Sequence, residues 1–175
     1  MSVDVERAIA TMRAIRSFSE RPLEPEVVRR ILDAGRRAGS SKNLQRWDFI
    51  VVRDRERLRQ LSTVGRYAGH LAGAAAAVAL VTPDPRAGGQ PLSLMWDLGG
   101  VADRMMLEAW AMGVGSCPAT VYEQARARTI LRYPEDRHCE FILSFGYPSD
   151  PSQLVAPLRP GGRRSLDEIV HEERW

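Results

Sequence analysis

The chain has 175 residues, 44% hydrophobic and 27% charged, an ordinary globular composition and enough chain for one domain, 1–175, with a proper core. Its formal charge is +3, and the cations, almost all arginine with Lys42 the single lysine, are interspersed with acids, so no dense basic block marks nucleic acid as the partner. No apolar run approaches the roughly 18 residues a membrane helix needs. The N-terminus lacks a basic-then-apolar signal layout, and neither Cys117 and Cys139 nor His70, His138 and His171 show disulfide or metal spacing, so a cytoplasmic protein without a metal is expected.

In chain order, Val3 to Met12 reads as a short amphipathic helix. A second helix follows in "LEPEVVRRILDAGRRAG", with Val27, Val28, Ile31, Leu32 and Ala38 at helical spacing, Pro25 in its first turn and Gly39 at its end. "DFIVVRD" reads as a buried strand, "RERLRQLSTVG" as a helix, and "AGAAAAVALVTP" as a helix turning into a second buried strand. The loop "DPRAGGQ" leads to a long helix, "LSLMWDLGGVADRMMLEAWAMG", whose central Gly99-Gly100 pair predicts close packing against another helix or a ligand. "GVGSCPATV" gives a strand edge, "EQARARTILRY" a helix and "CEFILSFGYP" an apolar strand; in the tail, Ser165 and Glu168 have capping-box spacing. The alternation predicts one α/β (α+β) domain, a sheet covered by helices.

Three places carry candidate chemistry. Arg13 and Arg16 stand close enough to grip one anion, though two arginines near a helix end are common on any surface. Ser40, Ser41, Asn43 and Gln45 crowd one loop between helix and strand, either as turn and cap residues or as a shelf for a polar ligand. Gly162, Arg163 and Arg164 put two cations on a flexible stretch. Three such places together favour a pocket for a phosphorylated or polar-ringed ligand.

The stretch "MRAIRSFSERPLEPEVVRRILDAGRRAGSSKNLQRWDFIVV" resembles the opening of the nitroreductase family of FMN-dependent oxidoreductases, and the likeness continues through the long helix, "AMGVGSCPATV" and "GGRRSLDEIVHEERW". The resemblance implies a central mixed sheet flanked by helices in an intertwined homodimer, with FMN at the subunit interface. It implies that Arg13, Ala14 and Arg16 hold the phosphate and the ring's polar edge, with Arg16 the first candidate for charge stabilisation. Ser40, Ser41, Asn43 and Gln45 would reach ribityl and ring from the other subunit, Pro118, Ala119 and Thr120 would line the flavin face, and Arg163 and Arg164 would return to the phosphate. Arg66, Tyr67, Trp96 and Tyr122 are candidates for the substrate face. The implied activity is ping-pong electron transfer from NADH or NADPH to a nitroaromatic, quinone or similar acceptor. A flavin-binding or storage protein without pyridine-nucleotide turnover, or a branch of the fold that consumes reduced flavin, are the alternatives. Ala14, Gly39 and Arg46 depart from the family's usual serine, proline and proline. "GGVADR" lies mid-helix and is no dinucleotide fingerprint, so NADH and NADPH are not separated.

Overall fold

The computed structural model describes residues 5–86, 92–157 and 162–175. Helix α1 (Val5–Thr11) buries only Ala8, which packs with Ile15 and Trp110 in a small satellite cluster. At its end the Trp110 indole donates to Thr11 Oγ1 at 3.0 Å, a tie across 99 residues. Helix α2 (Pro25–Arg36) begins on its proline, whose missing amide proton costs nothing at a first position. It stops earlier than the sequence suggested: Arg37 caps it, its amide donating to the Asp33 carbonyl and that of Ala38 to the Gly35 carbonyl, and Gly39 lies beyond.

Strand β1 (Asp48–Val52) leads to α3 (Arg55–Leu61), whose first turn is capped by the Asp54 carboxylate accepting from the Arg57 amide at 2.9 Å. Seven residues are too few for a stable helix in isolation, and burial of Leu58 and Leu61 is what holds α3 in place. A 3-10 stretch, Ala68–Gly73, stands where the alanine-rich run suggested a helix; β2 (Ala76–Pro83) follows it. Then come α4 (Ser93–Ala111), β3 (Gly115–Thr120), α5 (Gln124–Leu131) and β4 (Arg137–Gly146).

The sheet order is β1-β2-β4-β3, and every pair is antiparallel. Among the described residues its one parallel element is a single bridge between Ala14 and Ser116, which carries the mixed character expected from the sequence. β2 and β4 are central, which explains their nearly unbroken apolar sequences. β1 is an edge strand in which Val52 alone is buried, a correction to the buried strand read from "DFIVV". One face of the sheet packs on α3, the 3-10 stretch and α5 through Leu58, Leu61, Leu71, Ala127 and Ile142. The other packs on α2 and α4 through Val28, Ile31, Leu98, Met105, Leu143 and Phe145, with Trp47 half-buried among them. Gly99 and Gly100 are exposed, and a β-carbon built on either meets nothing within 4 Å, so within one chain nothing packs closely there. Among the described residues no helix is long and apolar enough to cross a membrane, and no group of three His, Cys, Asp or Glu is placed to hold a metal.

Candidate functional site

Beyond α1 the chain runs extended beside β3: Ala14 bridges Ser116, and the Ile15 amide donates to the Ser116 carbonyl at 2.9 Å. Ile15 is fully buried over Gly115, where a β-carbon would lie 2.6 Å from Ile15 Cβ. Glycine at 115 is therefore what lets this segment lie so close to the strand. With Ile15 turned inward, Ala14 and Arg16 are exposed. The Arg13 guanidinium donates to the carbonyls of Thr11 at 3.2 Å and Pro157 at 3.3 Å, and also to that of Ala156. Arg13 thus ties residues 156–157, where the C-terminal stretch begins, to the same segment. Arg16 lies beside the Cys117 thiol and the His70 ring. Burial pushes the Cys117 thiol up, and the Arg16 cation opposes that shift. Pro118 is the exposed residue of β3, between buried Cys117 and Ala119, with Thr120 half-buried at the end.

β3 is buttressed from below. The Ser144 hydroxyl donates to the Cys117 carbonyl at 3.1 Å, and His70 Nδ1 lies 2.8 Å from Ser144 Oγ. Because the serine proton is committed to the carbonyl, the ring carries its proton on Nδ1 and donates to Ser144. His70 Nε2 is buried with no hydrogen-bond partner among the described residues, and the Pro118 carbonyl is near enough to favour the charged ring slightly. Burial lowers the His70 pKa, and the Arg16 cation lowers it further. Its neutral form therefore stabilises the fold fully above the unfolded value of about 6.5, and this contribution is lost as pH falls through that value toward the folded one. Thermal melts at pH 7.5 and 5.5 are expected to show a steeper loss for the wild type than for His70→Asn. Equal slopes would rule out His70 as the source.

A loop from α3 supplies the far rim. Tyr122 and Glu123 amides donate to the Val64 carbonyl at 2.8 and 2.9 Å, and this brings Gly65 against the Thr120 carbonyl. Arg66 and Tyr67 follow, with the Arg66 guanidinium 5.4 Å from the Tyr67 ring centre. Arg66, Tyr67 and Tyr122 are thereby gathered, exposed, at the end of β3.

The loop carrying Ser40, Ser41, Asn43 and Gln45 is built elsewhere. It is a 3-10 turn in which Lys42, Asn43 and Gln45 all have positive φ, near 53°, 55° and 46°. The Gln45 amide donates to Ser40 Oγ at 3.0 Å, and the Ser41 amide donates to both oxygens of the Asp97 carboxylate on α4, at 3.2 and 3.0 Å. The Ser41 hydroxyl and the Asn43 amide group have no hydrogen-bond partner among the described residues. Arg46 Nε and Nη2 are buried without an acceptor. No hydrogen bond joins this loop to the Arg13–Arg16 segment among the described residues. Arg163 and Arg164 are exposed in the tail, where Arg163 bonds, among the described residues, its neighbour Gly162, and the Ser165–Glu168 capping box is present.

The sequence pattern of the nitroreductase family matches residues 9–78 and 64–147. An Archaeoglobus fulgidus protein provisionally named an NADH dehydrogenase/NAD(P)H nitroreductase is 34% identical over 175 residues, covering 97% of each chain. The chain belongs to the nitroreductase family. Among solved structures, an FMN-dependent nitroreductase from Clostridium difficile shares the fold at a TM-score of 0.84 and 24% identity, covering 98% of this chain and 100% of its own. An NADPH:FMN oxidoreductase from Vibrio harveyi, complexed with NAD+, does so at 0.84 and 23%, covering 97% and 77%. In this nitroreductase-family chain, the structure brings Arg13–Arg16 together with Ser116–Thr120. Among the described residues no hydrogen bond links the Ser40–Gln45 loop or the Arg163–Arg164 pair to them. Asp97 is the site-proximal residue that sequence reading missed: a single acid amid "LMWDLGG", its signal was the break it makes in an otherwise apolar helix face.

Proposed function

We propose that this protein is an FMN-dependent oxidoreductase that works as a homodimer, taking electrons from NADH or NADPH and passing them to a nitroaromatic, quinone or similar acceptor. The observation that carries the reading is the division of the site. One set of groups lies along β3, while the polar loop is anchored on α4 through Asp97 and, among the described residues, shares no hydrogen bond with that set. Two copies would bring the sets together. Exposed apolar side chains support a dimer: Trp96 is 84% exposed on α4 beside bare Gly99 and Gly100, and Leu166, Ile169, Val170 and Trp175 lie exposed along the tail.

The groups present suit FMN, which carries a phosphate, a hydroxylated chain and a ring with a polar edge. The donors fit it in kind: the Arg16 cation, the backbone beside Ala14, Arg163 and Arg164 for the phosphate end, and hydroxyl and amide groups of Ser40, Ser41, Asn43 and Gln45 from the partner. None of these positions is acidic. Arg13, already committed to backbone carbonyls, serves by fixing the Ala14–Arg16 segment and the start of the C-terminal arm. Bound FMN supplies the electron chemistry, accepting from a pyridine nucleotide and giving to a second substrate. Pro118, Ala119 and Thr120 form the wall against the ring, held rigid by the His70–Ser144–Cys117 chain of hydrogen bonds. Arg16 would supply positive charge to the ring's polar edge when FMN is bound. Arg66, Tyr67 and Tyr122 border the space left for the acceptor.

The test is the absorbance spectrum of purified protein, followed by anaerobic addition of NADH and then of NADPH. Flavin bands that bleach, and return when a nitroaromatic or quinone is added, are the expected result and name the donor. Bands that never bleach would indicate a flavin carrier, and no flavin uptake at all would refute the proposal.

A further inference from the structure

We infer that Asp97 is a positioning residue for flavin binding, one that holds the Ser41 backbone so that Ser40, Ser41, Asn43 and Gln45 are set before the ligand arrives. This rests on the reading of those four residues given above. Asp97 is 5% exposed, on a face of α4 otherwise made of Leu94, Leu98 and Val101. A carboxylate removed from water needs donors, and an aliphatic side chain there would need none. The donor it has is the Ser41 amide, shared between both oxygens.

The loop it holds is strained. Three non-glycine residues, Lys42, Asn43 and Gln45, adopt left-handed backbone, and such conformations persist only where the surroundings over-determine them. Most of the constraints are internal: Asn43 to Ser40, Leu44 to Ser41, Gln45 to Ser40 Oγ, Trp47 to Gln45. Two side chains, both on α4, tie residues 37–45 by hydrogen bonds to distant parts of the described chain. Arg104 donates to the Arg37 carbonyl at 2.6 Å, ahead of the loop, and Asp97 accepts from Ser41 inside it. Asp97 and Arg104 lie two turns apart on one helix face and, with Ser40, Ser41, Trp96 and Gly100, line a cleft of about 450 Å3. Without Asp97 the turn keeps its internal bonds and loses its fixed place on the protein. Flavin binding must then order it, and affinity falls.

The substitution that separates this role from a purely structural one is Asp97→Leu. A leucine fits the apolar face and removes the cost of burying a charge, which offsets the loss of the Ser41 amide's acceptor. The full-length protein stripped of flavin is titrated with FMN by fluorescence, and its melting temperature is measured without flavin. Asp97→Leu is expected to bind FMN roughly tenfold more weakly, the equivalent of one lost hydrogen bond, with an unchanged or higher melting temperature. Asp97→Asn, which keeps one acceptor oxygen, is expected to recover most of that loss. Wild-type affinity in Asp97→Leu, or a loss that only tracks a lower melting temperature, overturns the inference while the flavin site stands. Should Asp97→Leu not fold, Asp97→Asn is compared with Asp97→Ala: tighter binding by asparagine supports the role, and equal binding overturns it. A wild-type protein that takes up no FMN overturns the reading of the site itself, and this inference with it.

Discussion

Arg16→Ala is expected to purify with a small fraction of the flavin carried by the wild type, while remaining folded and of unchanged oligomeric state. Arg16 is exposed and pairs with no carboxylate among the described residues; its neighbours are a thiol and a histidine ring. Its charge is therefore not neutralised by any described acid and is available to a ligand. A hydrogen bond to a charged group contributes about 1.5–3 kcal/mol, which corresponds to roughly 10- to 150-fold in affinity. The same exposure limits the cost to the fold to about 0.5 kcal/mol, as for most surface substitutions. The ratio of flavin to protein absorbance in the purified variant, with circular dichroism and size-exclusion as controls, gives the answer. Full occupancy would remove Arg16 from the site. Arg16→Lys keeps the charge but loses the planar fork, and should fall between the two.

How much of this was legible in the sequence depends on the range of the interaction. Helical spacing in α2, the proline at its start and the apolar runs of β2 and β4 are local signals, and each lies where the pattern put it. Strand pairing is not local: "DFIVV" is as apolar as a central strand, and only the order β1-β2-β4-β3 shows that it lies at an edge. Gly99-Gly100 predicted a close approach, and among the described residues the fold leaves both open. The motif residues could be named from the resemblance. The capture of Arg13 by carbonyls more than 140 residues away, and the grip of Asp97 on Ser41 across 56, leave no mark in spacing. Nor does any glycine announce the left-handed turn at Lys42–Gln45, which is held by hydrogen bonds rather than by residue type.

Gly65→Ala is expected to damage both stability and the acceptor face. A β-carbon at residue 65 would lie 2.1 Å from the Thr120 carbonyl oxygen, a backbone atom that no rotamer change can move aside. Either the 64–67 loop or the end of β3 must shift. The loop is fixed to that end by the Tyr122 and Glu123 amides, both donating to the Val64 carbonyl, so a shift strains or breaks two hydrogen bonds at once. Overpacking of this kind costs about 1–3 kcal/mol, and each lost backbone bond adds about 1. Val64 is fully buried, which leaves the loop little freedom to swing away, and β3 is held from the other side by the Ser144–Cys117 bond. Thermal melting should therefore fall by several degrees. In the proposed enzyme, steady-state kinetics should show KM for the acceptor rising more than KM for the pyridine nucleotide, because Arg66, Tyr67 and Tyr122 lose their common anchor. A variant that melts with the wild type would mean that the close approach relaxes without cost. Equal changes in both KM values would place these three residues outside the acceptor face.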